Sequence, residues 1–249
     1  MFDRAMRSLI PSADGEADLH THYARDWLDA GGVRANFVCS VDGAISASGS
    51  SRGLQTPGDN LVFAALRDLA DVVLVGAGTA TAERYRPAVP SAERMRRRED
   101  FGLDRRLPVA VVSGTLRVDA DAALYADPGT IVFTTQRADR SAVADVTAEV
   151  IVCGQAEIDF PAVIAVLAAR GLRRVVCEGG PTLFASMADE GLIDELCVSV
   201  SPLLSGPGPG RLSAGVEWPH GHGLRLTGLL EEDGALFTRY RVEDSLGRL

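Results

Sequence analysis

The segment with the clearest chemical potential is Glu178-Gly179-Gly180-Pro181-Thr182, which closes the apolar run Arg174-Val175-Val176-Cys177. Two glycines let the chain turn tightly, and Pro181 suits the first position of a helix. The N–H groups of Thr182 and Leu183 are then left to face an anion. Burying a lone carboxylate costs about several kcal/mol, so Glu178 must either pair with an arginine or face a cleft. A second glycine-rich turn, Val75-Gly76-Ala77-Gly78-Thr79, follows the apolar run from Asp71. Gly76 and Ala77 permit close backbone approach there, and Thr79 can donate its hydroxyl to a phosphate. Glycines after strands also serve turns alone, and Thr81 breaks the G-x-G-x-x-G dinucleotide fingerprint. Asp42 before Gly43 is a turn pair as well as a candidate acid. Asp59 fits a helix's first turn on dipole grounds and is also a candidate for the substrate pocket. Arg67 is either a solvated helix residue or a substrate ligand. Arg84 and Arg86 follow the Gly76 turn closely enough to hold a phosphate by bidentate pairing.

Composition removes several alternatives. All 25 basic residues are arginine. Without lysine there is no Schiff-base chemistry and no Walker A phosphate loop. The net charge of −9 argues against nucleic acid as a partner. Cys39, Cys153, Cys177 and Cys197 form no C-x-x-C pair and read as buried thiols in a reducing compartment. His20 with His22, and His220 with His222, lack the neighbours a metal site needs, so no metal is expected. No apolar run reaches the ~20 residues of a membrane span. The N-terminus lacks a secretory h-region, and a cytoplasmic enzyme is the expectation.

The elements that would position these groups alternate. Strands are expected at Arg34–Ser40, Asp71–Val75, Val109–Val112, Thr130–Thr135, Val150–Cys153, Arg174–Cys177 and Glu195–Leu204. A helix starts at Thr56-Pro57, others run from Asp159 to Gly171 and from Pro181 to about Glu190, and a short one spans Ser141–Thr147. Leu224–Leu230 and Ala235–Val242 read as a hairpin around Asp233-Gly234. Residues 1–32 read as an irregular N-terminal extension with one short helix. Arg84–Arg106 reads as a loop with eight arginines against four acidic residues. The alternation implies one α/β domain over residues 33–249. Its mostly parallel sheet has eight or nine strands, flanked by helices and edged by the antiparallel hairpin.

Three blocks give a family resemblance. Asn36-Phe37-Val38-Cys39-Ser40-Val41-Asp42-Gly43 resembles the S-x-D-G segment that opens the reductase domain of the bifunctional riboflavin deaminase/reductase family. Leu66-Arg67 with Asp71–Thr79 resembles its L-R … L-V-G-x-x-T stretch. Glu178–Leu183, Gly191–Leu196 and Pro202–Gly206 resemble its C-terminal signature. The resemblance spans residues 33 to 242 and implies a dihydrofolate-reductase-like fold, NADPH as hydride donor and a homodimer. It also implies reduction of the ribosylamino group of a pyrimidine 5′-phosphate, a riboflavin precursor. Asn36, Thr56, Thr79 and Glu83 would then lie near NADPH, with Gly180, Pro181, Thr182 and Leu183 on its phosphates. Ser51, Arg67 and Glu178 would line the substrate pocket, and Arg84 or Arg86 would hold the substrate phosphate.

Two departures stand out. Glu83-Arg84-Tyr85-Arg86-Pro87 replaces the family's D-N-P, and no H-x-E with P-C-x-x-C is present, so the zinc deaminase half is absent. Two other readings stay open: a pterin reductase on the same fold, and a non-enzymatic module that binds NADPH or another nucleotide.

Overall fold

The computed structural model describes residues 6–143, 146–208, 210–218 and 220–243. The order of elements begins with β1 (Arg7–Ile10), β2 (Ser12–Glu16), α1 (Leu19–Ala24), α2 (Trp27–Ala30) and β3 (Gly32–Ser40). Next come α3 (Pro57–Asp68), β4 (Val72–Gly76), α4 (Ala77–Ala82), α5 (Ala92–Asp100), β5 (Val109–Val112), β6 (Thr130–Thr134) and β7 (Glu149–Val152). The chain closes with α6 (Phe160–Ala169), β8 (Arg174–Cys177), α7 (Pro181–Asp189), β9 (Glu195–Ser201), β10 (Gly223–Glu232) and β11 (Ala235–Glu243).

One sheet of 11 strands runs β2-β1-β10-β11-β9-β3-β8-β4-β5-β6-β7. Pairings from β9 through β3 to β7 are parallel, and those from β9 outward through β11, β10 and β1 are antiparallel. Central strands are apolar on both sides because helices cover both faces. Val73 and Val75 pack with α3 and the N-terminal helices, while Val72 and Leu74 pack with α6 and α7. α3 is punctuated as its sequence demands: Thr56 Oγ1 accepts from the Asp59 N–H at 3.1 Å, and Pro57 takes the first position. Among the described residues no helix is long and apolar enough to cross a membrane.

Local patterning misses the N-terminal segment. It was expected to be irregular, yet β1 and β2 form a hairpin whose first strand pairs with β10, which brings the sheet to eleven strands. The cause is long-range. Glu195, buried at the start of β9, accepts from Arg34 Nε and from Arg239 Nε at 2.7 Å. Three further guanidinium nitrogens reach back to the backbone. Arg34 Nη2 donates to the Tyr23 carbonyl at 2.9 Å, and Arg239 to those of His22 at 3.0 Å and Arg25 at 2.7 Å. Arg34 also stacks 4.1 Å from the Trp27 ring centroid. Two charged arginines thus pin α1 and α2 to the sheet.

The expected loop over Arg84–Arg106 contains α5, capped by Ser91, whose Oγ accepts from Arg94 N–H at 3.3 Å. Its almost wholly charged sequence hides it, since its anchor is Arg98 rather than an apolar stripe. Buried Arg98 donates to the carbonyls of Arg67 at 2.8 Å and Ala70 at 2.7 Å, neutralising the C-terminal end of α3. Of the helix expected over Ser141–Thr147 a single tight turn, Arg140–Val143, is formed, and residues 144 and 145 lie outside the described residues. β9 stops at Ser201 rather than Leu204 because Pro202 has no N–H for the ladder.

His22 sits inside this arginine-rich shell. Burial first, then the charges of Arg239, Arg25 and Arg34, push its imidazole down to about 4. A base depressed in the folded state stabilises the fold fully above its unfolded value near 6.5 and progressively less as pH falls toward 4. Lowering pH from 7 to 5 should therefore cost on the order of 2 kcal/mol. His22→Gln should flatten that dependence, as read from urea melts at the two pH values.

Candidate active site

The carboxyl ends of β3, β4 and β8 open into a cleft of about 610 Å³. Glu178 lies at its base, one residue beyond β8, with its N–H donating to the Leu74 carbonyl at 2.9 Å. It is paired. Arg67, in the last turn of α3, donates from Nε at 2.6 Å and from Nη2 at 2.7 Å, a bidentate fork. The Tyr85 hydroxyl donates to the second oxygen at 2.6 Å. Arg67 is sandwiched on aromatic faces, 4.3 Å from the Phe63 centroid and 5.6 Å from that of Tyr85. Burial pulls the Arg67 guanidinium down, but the charge and hydrogen bonds of Glu178 outweigh it and the net shift is upward. Tyr85 is held well above its ordinary value by burial and then by the Glu178 charge, so it stays a donor. Sequence left pairing or a cleft position as alternatives for Glu178, and the fold satisfies both.

Around this triad the cleft gathers Asn36, Ser51, Asp59, Thr79, Glu83, Arg84, Arg86, Gly180 and Pro181, all singled out in the sequence. Glu83 is held by its own wall: it accepts from Ser51 N–H at 3.2 Å and Ser51 Oγ at 2.9 Å, which ties the 50–52 turn to the end of α4. Asp59 is 5% exposed, and burial raises its carboxyl above the ordinary value while Ser199 pulls the other way. The described residues give Arg84 and Arg86 no ion pair or side-chain hydrogen bond.

A second groove, about 470 Å³, shares Thr79, Gly180 and Pro181 with the cleft and continues past Gly76, Ala77, Gly78, Thr182 and Leu183 to Ser113, Thr115 and Arg117. No side chain caps α7, so its first N–H groups have no intrahelical partner. A Cβ on Gly78 would meet nothing within 4 Å, so the backbone there stands open to a ligand. A Cβ on Gly180 would collide with Thr79 Oγ1, and one on Gly179 (φ 80°) would lie 2.8 Å from the Phe37 ring. Both glycines are demanded by close approach.

Three residues singled out in the sequence line neither cavity. Gly179 shapes the turn, and its carbonyl accepts from Gly76 N–H at 2.7 Å. Thr56 caps α3. Asp42 is exposed, and its carboxylate accepts from Ser40 Oγ and from the N–H groups of Ser205 at 3.1 Å and Gly206 at 2.8 Å. Those bonds, that of Ser40 foremost, push it down to about 2, and they latch the turn after β3 to the 205–206 segment. Sequence reading missed Tyr85, Ser113, Thr115 and Arg117. The last three follow β5 directly, so the strand-end rule applied to β5 would have found them.

Both cavities lie at the carboxyl ends of parallel strands in a helix-covered α/β sheet, where such folds bind their ligands. The chain belongs to the RibD C-terminal domain family, whose model matches residues 32–229. It is 32% identical over 178 residues to the 2,5-diamino-6-ribosylamino-4(3H)-pyrimidinone 5′-phosphate reductase of Archaeoglobus fulgidus, an alignment covering 70% of this chain and 81% of that one. It is 28% identical over 185 residues to the protein of that name from Methanothermobacter thermautotrophicus, covering 70% and 79%. Among solved structures, a pyrimidine reductase-like protein from Corynebacterium diphtheriae is similar at a TM-score of 0.79 and 26% identity, covering 86% of this chain and 93% of that one.

Glu178→Gln should leave the Arg67 charge half-paired in a buried site. We expect kcat/KM to fall at least about tenfold, or 1.4 kcal/mol, with dinucleotide affinity of the second groove changed by less than about twofold. Parallel loss of dinucleotide affinity, measured by fluorescence titration, would show that the triad shapes the second groove instead.

Proposed function

We propose that this chain is an NADPH-dependent reductase of a ribosylaminopyrimidine 5′-phosphate, converting the ribosylamino group to a ribitylamino group on the route to riboflavin. The observation that carries the reading is the meeting of two grooves at Thr79, Gly180 and Pro181. One groove suits a dinucleotide and the other a phosphorylated ring.

The second groove fits NADPH chemically. Its open backbone at Gly78 and uncapped α7 N-terminus suit a pyrophosphate, with Thr182 and Leu183 N–H groups as donors. Exposed Arg117, beside Ser113 and Thr115, suits the additional 2′-phosphate that distinguishes NADPH from NADH. When bound, NADPH supplies a hydride.

Arg84 and Arg86, which have no carboxylate partner among the described residues, hold the substrate phosphate as bidentate donors. The triad of Arg67, Glu178 and Tyr85 forms a rigid floor, since each member is held by the others. Ser51 and Glu83 close the wall opposite. With the sugar opened to its imine, reduction adds a hydride at C1′ and a proton at the adjacent nitrogen. The side chains fix the ring and phosphate so that C1′ lies at the junction of the grooves, and much of the rate follows from that orientation. Asp42 lines neither groove, so this reading takes the proton from water. The curated relatives' names and the family membership agree with this reading.

The test is loss of nicotinamide absorbance on adding the ribosylaminopyrimidine phosphate to enzyme and NADPH, with dihydrofolate in parallel. Oxidation with the first substrate at least about a hundredfold faster in kcat/KM, some 2.7 kcal/mol, is expected. Faster oxidation with dihydrofolate would favour the pterin reading, and NADPH binding without turnover of either would favour the non-enzymatic one.

A further inference from the structure

Behind the segment that follows α4 lies a third cavity, of about 480 Å³. Arg84, Tyr85 and Arg86 form its near wall and also line the substrate cleft, while its far wall, from Asp119 to Tyr125, lines neither groove. Tyr85 is fixed by its bond to Glu178. The arginines on either side of it are exposed and have no ion pair or side-chain hydrogen bond among the described residues. Arg84 is also strained. Its N–H donates to the Thr81 carbonyl at 3.1 Å and that of Tyr85 to the Ala80 carbonyl at 2.8 Å, the paired bonds that close a helix through a left-handed residue. That residue is Arg84, at φ 54°, where glycine is the usual choice. Side chains kept in left-handed backbone collect at sites of function.

The far wall supplies complementary groups. Tyr125 is 2% exposed, and its hydroxyl has no hydrogen-bond partner among the described residues, where buried hydroxyls are ordinarily satisfied. Burial first, then the Asp119 charge, pushes this phenol up to about 12, so it stays a donor. Thr81 adds an exposed hydroxyl, and Asp119 one exposed carboxylate. Two guanidinium groups against one carboxylate leave the cavity positive in a chain of net charge −9. The arginines suit a phosphate monoester. Asp119 would repel a bare phosphate but accepts from an alcohol, so the ligand that satisfies both carries a phosphate at one end and hydroxyls along its body. We infer that this cavity binds a phosphorylated sugar or polyol, apart from the substrate ring and the dinucleotide, and that the occupant competes with substrate by drawing Arg84 and Arg86 out of the cleft. The competition rests on the reductase reading above, whereas the binding does not.

The experiment uses glucose 6-phosphate as probe and glucose as its uncharged control, on wild type, Ala123→Glu and Ala123→Arg. Ala123 is exposed on the far wall and lines neither groove, so both variants should keep kcat and the substrate KM within about twofold of wild type. By calorimetry without substrate, the added carboxylate should weaken binding of glucose 6-phosphate and the added guanidinium tighten it, each by about threefold or more. In steady-state assays the probe should raise the substrate KM and leave kcat unaltered, with inhibition constants in the calorimetric order. Equal dissociation constants in all three proteins would place the probe elsewhere and overturn the proposal. No binding at about 10 mM, or glucose binding as tightly as its phosphate, would overturn it too. Inhibition that lowers kcat without raising KM would overturn the competition for the arginines. Binding that follows the charge at position 123 in a protein that oxidises no NADPH would keep the site and remove the reductase reading beneath the competition.

Discussion

A carboxylate at the mouth of a buried parallel strand cannot stand alone, and the way Glu178 is satisfied organises this molecule. Its partner, Arg67, is carried by α3 on one face of the sheet, and Tyr85 by the segment after α4. One buried group therefore ties β8, α3 and the loop after α4 into a fixed corner. The long arginine is ordered between Phe63 and Tyr85, so the pair loses little additional side-chain freedom when it forms. Breaking such a pair from one side leaves an uncompensated charge in a low-dielectric site, and this makes the corner rigid rather than merely attractive.

The same logic recurs away from the cleft. Arg34 and Arg239 flank Glu195 and direct their remaining donors to the backbone of residues 22–25. Asp68, adjacent to Arg67, accepts from Arg94 at 2.6 Å and Arg97 at 3.1 Å and lies 3.2 Å from His20, while Arg98 grips the carbonyls that end α3. A chain with no lysine uses the planar, multi-donor guanidinium where others use apolar packing. The helix that carries Arg67 is consequently held at its C-terminal end by three other arginines.

What could be read in advance follows from which interactions are local. The strands β4, β5 and β8 and the caps of α3 and α6 are written in contiguous residues, and the structure reproduces them within a residue or two. The glycine turns at Gly76 and Gly179 were legible for the same reason. The N-terminal hairpin and α5 were not, because their stability comes from strand pairing with β10 and from arginines binding distant carbonyls, neither of which leaves a periodic apolar trace. In the site, Glu178, Arg67 and Asp59 were visible as types but not as states. Only the fold distinguishes a carboxylate closed by an arginine from one buried beside a neutral hydroxyl. Asp42 shows the converse, since a motif aspartate can be occupied by a neighbouring serine and by the backbone of a segment distant in sequence.

On the proposed function, the two grooves bring a nicotinamide and a ribosylamino C1′ together at Thr79 and Gly180. The most direct measurement follows deuterium from NADPH labelled at nicotinamide C4 into the product by mass spectrometry and proton NMR. One deuterium is expected, at C1′ of the ribityl chain, with none acquired there from heavy-water solvent. Deuterium on the pyrimidine ring, or C1′ hydrogen drawn from solvent, would contradict it.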